Sequence, residues 1–177
     1  MVNKTFTVDW DSIDECNKLL NVMKSRLGEL RACKDGSKKE KFKRSFDACQ
    51  TIINTDIEFL YNDIVLDENP IYYVYAHCNP EANIAIGKCG KTSFLATLGL
   101  DKIPFYIGKG CGNRAFDLSR NETHRKVRQS LKNFDKDIHV KIIRDGLTEK
   151  HALILESKLI VICFNTVCEN IARANYY

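Results

Sequence analysis

Glu156 stands where a carboxylate is costly. With about 100° of rotation per residue along a helix, Ala152, Leu155, Leu159 and Cys163 fall on one apolar stripe of the segment 148–163, and Glu156 lies near its middle. Taking an unpaired carboxylate out of water costs on the order of several kcal/mol, so this position calls for a basic partner, a proton or a metal cation. Helical spacing leaves all three open.

Two further groups could do chemistry. In Ile71-Tyr72-Tyr73-Val74-Tyr75-Ala76, Tyr73 and Tyr75 share one face of an extended segment, and His77 continues that face. Tyr106 ends a second aromatic run, just before Gly108-Lys109-Gly110-Cys111-Gly112-Asn113-Arg114. Taken singly, a strand tyrosine is a structural residue whose ring suits a half-buried sheet. A glycine-rich loop taken singly is a turn, or a place where backbone N–H groups approach phosphate oxygens.

The formal net charge of +4 is too small to mark a nucleic-acid binder, but it is unevenly spread. From Lys109 to Lys132, seven basic residues (Lys109, Arg114, Arg120, Arg125, Lys126, Arg128, Lys132) stand against Asp117 and Glu122. Lys34, Lys38, Lys39, Lys41, Lys43 and Arg44 form a second cluster, broken by Asp35 and Glu40. Such clusters can neutralise phosphates or simply form solvated faces.

The elements that must position these groups follow from periodicity. Apolar residues recur at Ile13, Cys16, Leu20, Met23, Leu27 and Leu30, then at Phe42, Phe46, Cys49, Ile53, Ile57, Leu60 and Ile64. Steps of three and four predict two helices. Ser12 and Glu15 offer a capping box, and Lys34-Asp35-Gly36-Ser37 the break between them. A helical hairpin over 10–66 has little core of its own, which suits it to assembly, to a homodimer, or to contact with a partner or DNA. Past Asp67-Glu68-Asn69-Pro70 the pattern predicts strands at 71–76, 104–108 and 138–144. An insert at about 79–103 stays unassigned, two helices are expected between Gly108 and the third strand, and a last helix at 148–163. The expected fold class is α+β: a small three-stranded, mostly antiparallel sheet flanked by helices in 68–177, preceded by the hairpin in 1–67.

A content of 44 % hydrophobic and 28 % charged residues is that of a globular protein. No apolar run approaches the roughly 18 residues that span a bilayer, so no membrane role is expected. The first residues show no secretory leader pattern, which points to the cytoplasm. Eight cysteines without a Cys-x-x-Cys pair then read as free, mostly buried thiols rather than as disulfides or a zinc site.

As a set, these residues resemble the GIY-YIG nuclease superfamily. Tyr73-Val74-Tyr75 takes the GIY position and Tyr106-Ile107-Gly108 matches YIG. Pro104-Phe105-Tyr106-Ile107-Gly108-Lys109-Gly110, Gly112-Asn113-Arg114-Ala115, Gly146-Leu147-Thr148-Glu149 and Ala152-Leu153-Ile154-Leu155-Glu156 are similar to one branch, with a Phe-Tyr-Ile-Gly-Lys-Gly-x-Gly-Asn-Arg signature. The resemblance runs from about Tyr72 to the C-terminus. It implies hydrolysis of DNA phosphodiester bonds with Mg²⁺, for which Mn²⁺ would substitute, held by Glu156. It also implies Tyr75 as general base or proton relay, with Lys109 or the metal supplying positive charge. Tyr106 would orient water or phosphate, Arg114 would clamp the scissile phosphate, and Asn170 would steady the metal shell. Lys109, Asn113, Arg114, Arg120, Arg125, Lys126 and Arg128 would then contact nucleic acid, double-stranded DNA above all.

The chain departs from the pattern in three places. Thirty residues separate Tyr75 from Tyr106, more than the family's usual spacing, and Tyr73 replaces the first glycine. Leu118 occupies the region where many members carry a histidine. His77 and His124 are the substitutes in reach, and Tyr73 is a further candidate. The rival reading is a GIY-YIG fold that binds DNA or a protein without cutting.

Overall fold

The computed structural model describes residues 8–56, 71–84, 95, 96 and 98–174, with backbone alone at 50, 54–56 and 164–174. Helix α1 spans Ile13–Ala32 and α2 spans Gly36–Asp56. Ser12 caps α1, its hydroxyl accepting the Glu15 N–H at 3.3 Å. The Glu15 carboxylate turns outward to Lys18, so only half of the expected capping box forms. The predicted stripes bury Cys16, Leu20 and Met23 on α1 and Phe46, Cys49 and Ile53 on α2. Positions 57–66 of the expected hairpin lie outside the described residues.

The sheet is fully antiparallel. Strands β1 (Tyr72–Asn83), β2 (Lys102–Cys111) and β3 (His139–Leu147) lie in the order β2-β1-β3. With the helices this is an α+β fold. Strands β1 and β2 run well past their predicted ends and pair as far as Asn83 with Lys102, through irregularities after His77 and Cys78. The two ends of the expected insert, 79–83 and 102–103, therefore belong to these strands, and residues 85–94 and 97 lie outside the described residues. A local pattern of aromatic and β-branched residues could not extend the strands through Asn79-Pro80-Glu81, which lie in an irregular stretch between the pairs Cys78 with Pro104 and Asn83 with Lys102. Helix α3 is Glu122–Lys132, and it is the sole described helix between β2 and β3. Two were expected there, and residues 112–116, ahead of α3, are turns. Helix α4, Glu149–Ala174, outruns its predicted end at 163.

Alternation along β1 decides where the chemistry sits. Val74, Ala76 and Cys78 point into an apolar cluster that also takes in Cys16, Leu19 and Met23 of α1 and Leu155, Leu159 and Ile162 of α4. Each valine, leucine, isoleucine or methionine side chain among them contributes about 2 kcal/mol when fully removed from water. Helix α1 therefore shares the core that seats the sheet. A buried lysine adds to that contact, because Lys158 of α4 reaches Asp11, before α1, at 2.8 Å. Tyr73, Tyr75 and His77 are left for the opposite face.

Candidate active site

The loop after β2 folds back over that opposite face and is tied to it through buried polar groups. The Tyr73 hydroxyl donates to the Gly112 carbonyl at 2.7 Å and accepts the Ala115 N–H at 2.9 Å. His77 Nε2 lies 2.8 Å from the Ala115 carbonyl, so that nitrogen carries the hydrogen. In the neutral ring Nδ1 is then an acceptor, and it takes the Nε2–H of His124 at 2.7 Å. Asn121 caps α3 by accepting the His124 N–H, which fixes the second ring from its own backbone. Glycine is required at three places, among them Gly110, where a Cβ would stand 2.8 Å from the Arg114 Cβ. A Cβ on Gly108 would stand 2.8 Å from the Tyr75 hydroxyl and 2.8 Å from a Tyr106 ring carbon, and Gly112 has φ +53.

Tyr75 is 1 % exposed and its hydroxyl accepts a hydrogen bond from Arg120 Nη2 at 2.7 Å. The Arg120 side chain is 3 % exposed, and its guanidinium carbon lies 5.8 and 5.7 Å from the ring centres of Tyr75 and Tyr106. The same guanidinium donates to the Arg114 and Ser119 carbonyls and stands 3.3 Å from Asp117. Burial pushes the Tyr75 phenol up to about 12, while the Arg120 hydrogen bond and charge pull it down. Both arrangements correct the sequence reading. Arg120 was expected on the nucleic-acid surface, and Lys109 beside Tyr75. Instead Arg120 supplies the cation at Tyr75, and the Lys109 ammonium pairs with Glu149, 4.9 Å from the Tyr72 ring centre.

Lys109 meets Glu156 through its backbone. Strand β2 is a sheet edge, so its outward N–H groups need acceptors from elsewhere. Glu156 Oε1 takes the Lys109 N–H at 3.0 Å. No ion pair joins Glu156 to a lysine, arginine or histidine side chain among the described residues. Burial pushes its carboxyl above the usual range, against the opposing pull of the Lys109 N–H and charge. A half-buried acid with this balance gains from a cation. Among the described residues no group of three or more His, Cys, Asp or Glu could cage a metal ion. Mg²⁺ still fits the donor set, because it keeps most of its waters and takes one or two carboxylates together with phosphate oxygens. Asn170 lies on α4 where the backbone alone is described.

The remaining predicted contacts are at the surface. Arg114 is half exposed and pairs with Asp117 at 2.6 Å. Asn113 is exposed, and its carbonyl accepts the Phe116 N–H. Arg125 and Lys126 share Glu122 at 2.8 and 3.6 Å, and Arg128 is half-buried. The described cysteines are all free thiols. No family model matches the chain, and comparison with curated proteins and with solved structures finds no match to it.

The histidine pair makes a stability prediction. Once His124 Nε2–H donates to His77, its Nδ1 is a lone pair with no partner among the described residues. Burial, then His77, Arg120 and Arg128, lower the His124 pKa from 6.5 to about 4. The unfolded chain therefore binds the extra proton first as pH falls, and stability drains away from about pH 6.5 down to about 4. Urea unfolding at pH 7 and pH 5 is expected to differ by about 2 kcal/mol more in the wild type than in His124→Gln. Equal pH dependence in the two proteins would show that the pair is not held neutral.

Proposed function

We propose that the chain is a metal-dependent endonuclease that hydrolyses DNA phosphodiester bonds. The observation that carries this reading is the guanidinium of Arg120, withdrawn from water and placed against the rings of both Tyr75 and Tyr106, with its donor on the Tyr75 oxygen. Two tyrosines that merely filled a sheet would gain only a cation–π contact from a buried guanidinium, whose desolvation is costly. A tyrosine that passes through a phenolate does gain from it.

In the proposed reaction a water oxygen bonds to phosphorus as the ester P–O bond breaks. Tyr75, having lost its own proton to solvent, takes the proton of the water, the leaving oxygen takes one from solvent, and Arg120 steadies the phenolate through the hydrogen bond already present. Arg114, facing solvent beside Asp117, can exchange that carboxylate for the two oxygens of a phosphate. The Tyr106 ring lies 6.1 Å from that of Tyr75 and shares the same cation, which suits it to orienting water or phosphate. Glu156 would hold Mg²⁺, or Mn²⁺ in its place, and the bound ion would supply charge for the leaving oxygen. The loop from Lys109 and the exposed face of α3, with Arg125, Lys126 and Arg128, is the surface proposed for double-stranded DNA.

One observation favours a second reading, a module that binds DNA or protein without cutting. A phenol at about 12 is a proton donor at neutral pH until something lowers it. Supercoiled plasmid separates the two. The nuclease converts it to nicked and linear forms in Mg²⁺ and leaves it intact in EDTA, whereas the binding module retards it in a gel without converting it. A protein partner would instead come through α1 and α2, where homodimerisation was also anticipated. No described helix is long and apolar enough to cross a membrane.

A further inference from the structure

We propose that Phe116 is a stacking platform for a nucleobase that has lost a neighbour in its stack, beside the phosphate taken by Arg114. The inference rests on the nuclease reading and narrows its substrate to gapped, mismatched or branched nucleic acid. Phe116 is 66 % exposed, in a loop whose flanking backbone is locked. Ala115 on one side is fully buried, its N–H on Tyr73 and its carbonyl on His77. Asp117 on the other side sends its N–H to the Asn113 carbonyl, while its carboxylate accepts from Ser119 N–H and meets Arg114 and Arg120. The ring is thus held out into water by a scaffold already ordered, so little conformational entropy remains to be lost on binding.

Charge identifies the occupant. Between Gly112 and Lys132, with the buried Arg120 set aside, there are five basic residues against two acidic ones. An apolar peptide would cover the ring and leave that excess uncompensated, whereas nucleic acid offers a π-face and phosphates together. In a continuous duplex both faces of each base are already covered. The ring can stack only where a gap, mismatch or branch has opened a face, or where unstacking is cheap.

The test uses the full chain in Ca²⁺, with fluorescence anisotropy on two labelled duplexes of about 20 base pairs, one intact and one with a single-nucleotide gap flanked by 2-aminopurine. Wild type is expected to bind the gapped duplex about tenfold more tightly than the intact one and to quench the 2-aminopurine. Phe116→Ala is expected to melt as the wild type does, because it removes an exposed ring, and to bind the two duplexes alike. Phe116→Trp should keep both the preference and the quenching. If Phe116→Ala keeps the preference, or the wild type has none, the stacking role is overturned and the nuclease reading stands. If the wild type binds neither duplex, both fall.

Discussion

Tyr75→Phe is expected to slow DNA cleavage by at least about a hundredfold while the protein stays folded. The substitution deletes the one oxygen proposed to receive the proton of the attacking water and leaves the ring in place over Gly108. Arg120 loses an acceptor but keeps the Arg114 and Ser119 carbonyls, so the cost in stability should be about 1 kcal/mol. The wild-type rate should also rise with pH. Burial holds the phenol near 12, so through neutral pH the ionised fraction grows about tenfold per unit until a bound cation or another step takes over. That slope is expected to vanish from the residual activity of Tyr75→Phe. Full activity in this variant would hand proton transfer to Tyr73, Tyr106 or the histidine pair.

Glu156→Gln is expected to cost more, about a thousandfold in rate or beyond, without weakening the fold. The amide oxygen of glutamine can still accept the Lys109 N–H, so the edge of β2 stays satisfied. A carboxyl whose pKa is raised by burial is a charge that destabilises the folded chain above its unfolded pKa, so its removal should leave the melting temperature unchanged or higher. Affinity for DNA in Ca²⁺ should hold or rise, because a negative charge has left the neighbourhood of the phosphate. A structural salt bridge predicts the opposite, an early-melting variant with a stranded cation.

Features that depend on local periodicity were legible in the sequence. The stripe of Ala152, Leu155, Leu159 and Cys163 is buried, and Glu156 lies half-buried beside it. Tyr73, Tyr75 and His77 share a face because strand alternation leaves no choice. What escaped depends on the return of the loop. Arg120 sits in a run of charges that ordinarily marks a solvated face, and its burial follows from contacts across forty-five residues, to Tyr75. The burial of His124, named from the sequence only as a substitute histidine, could have been found. With Val127 and Leu131 this residue makes a three-and-four spacing on α3, and both His124, at 2 % exposure, and Leu131 are buried. Lys109 shows another limit. Sequence assigns a lysine by its ammonium, whereas the contact with Glu156 is made by the backbone of an edge strand.

The most direct measurement follows an end-labelled duplex incubated in Mg²⁺ with wild type, Tyr75→Phe and Glu156→Gln, all purified in parallel and shown to melt at comparable temperatures. The wild type alone is expected to cut at an appreciable rate, EDTA to abolish the cutting, and both variants still to bind the duplex in Ca²⁺. Cleavage by Glu156→Gln at the wild-type rate, or no cleavage by a wild type that binds DNA in either Mg²⁺ or Mn²⁺, would contradict the metal-dependent nuclease reading.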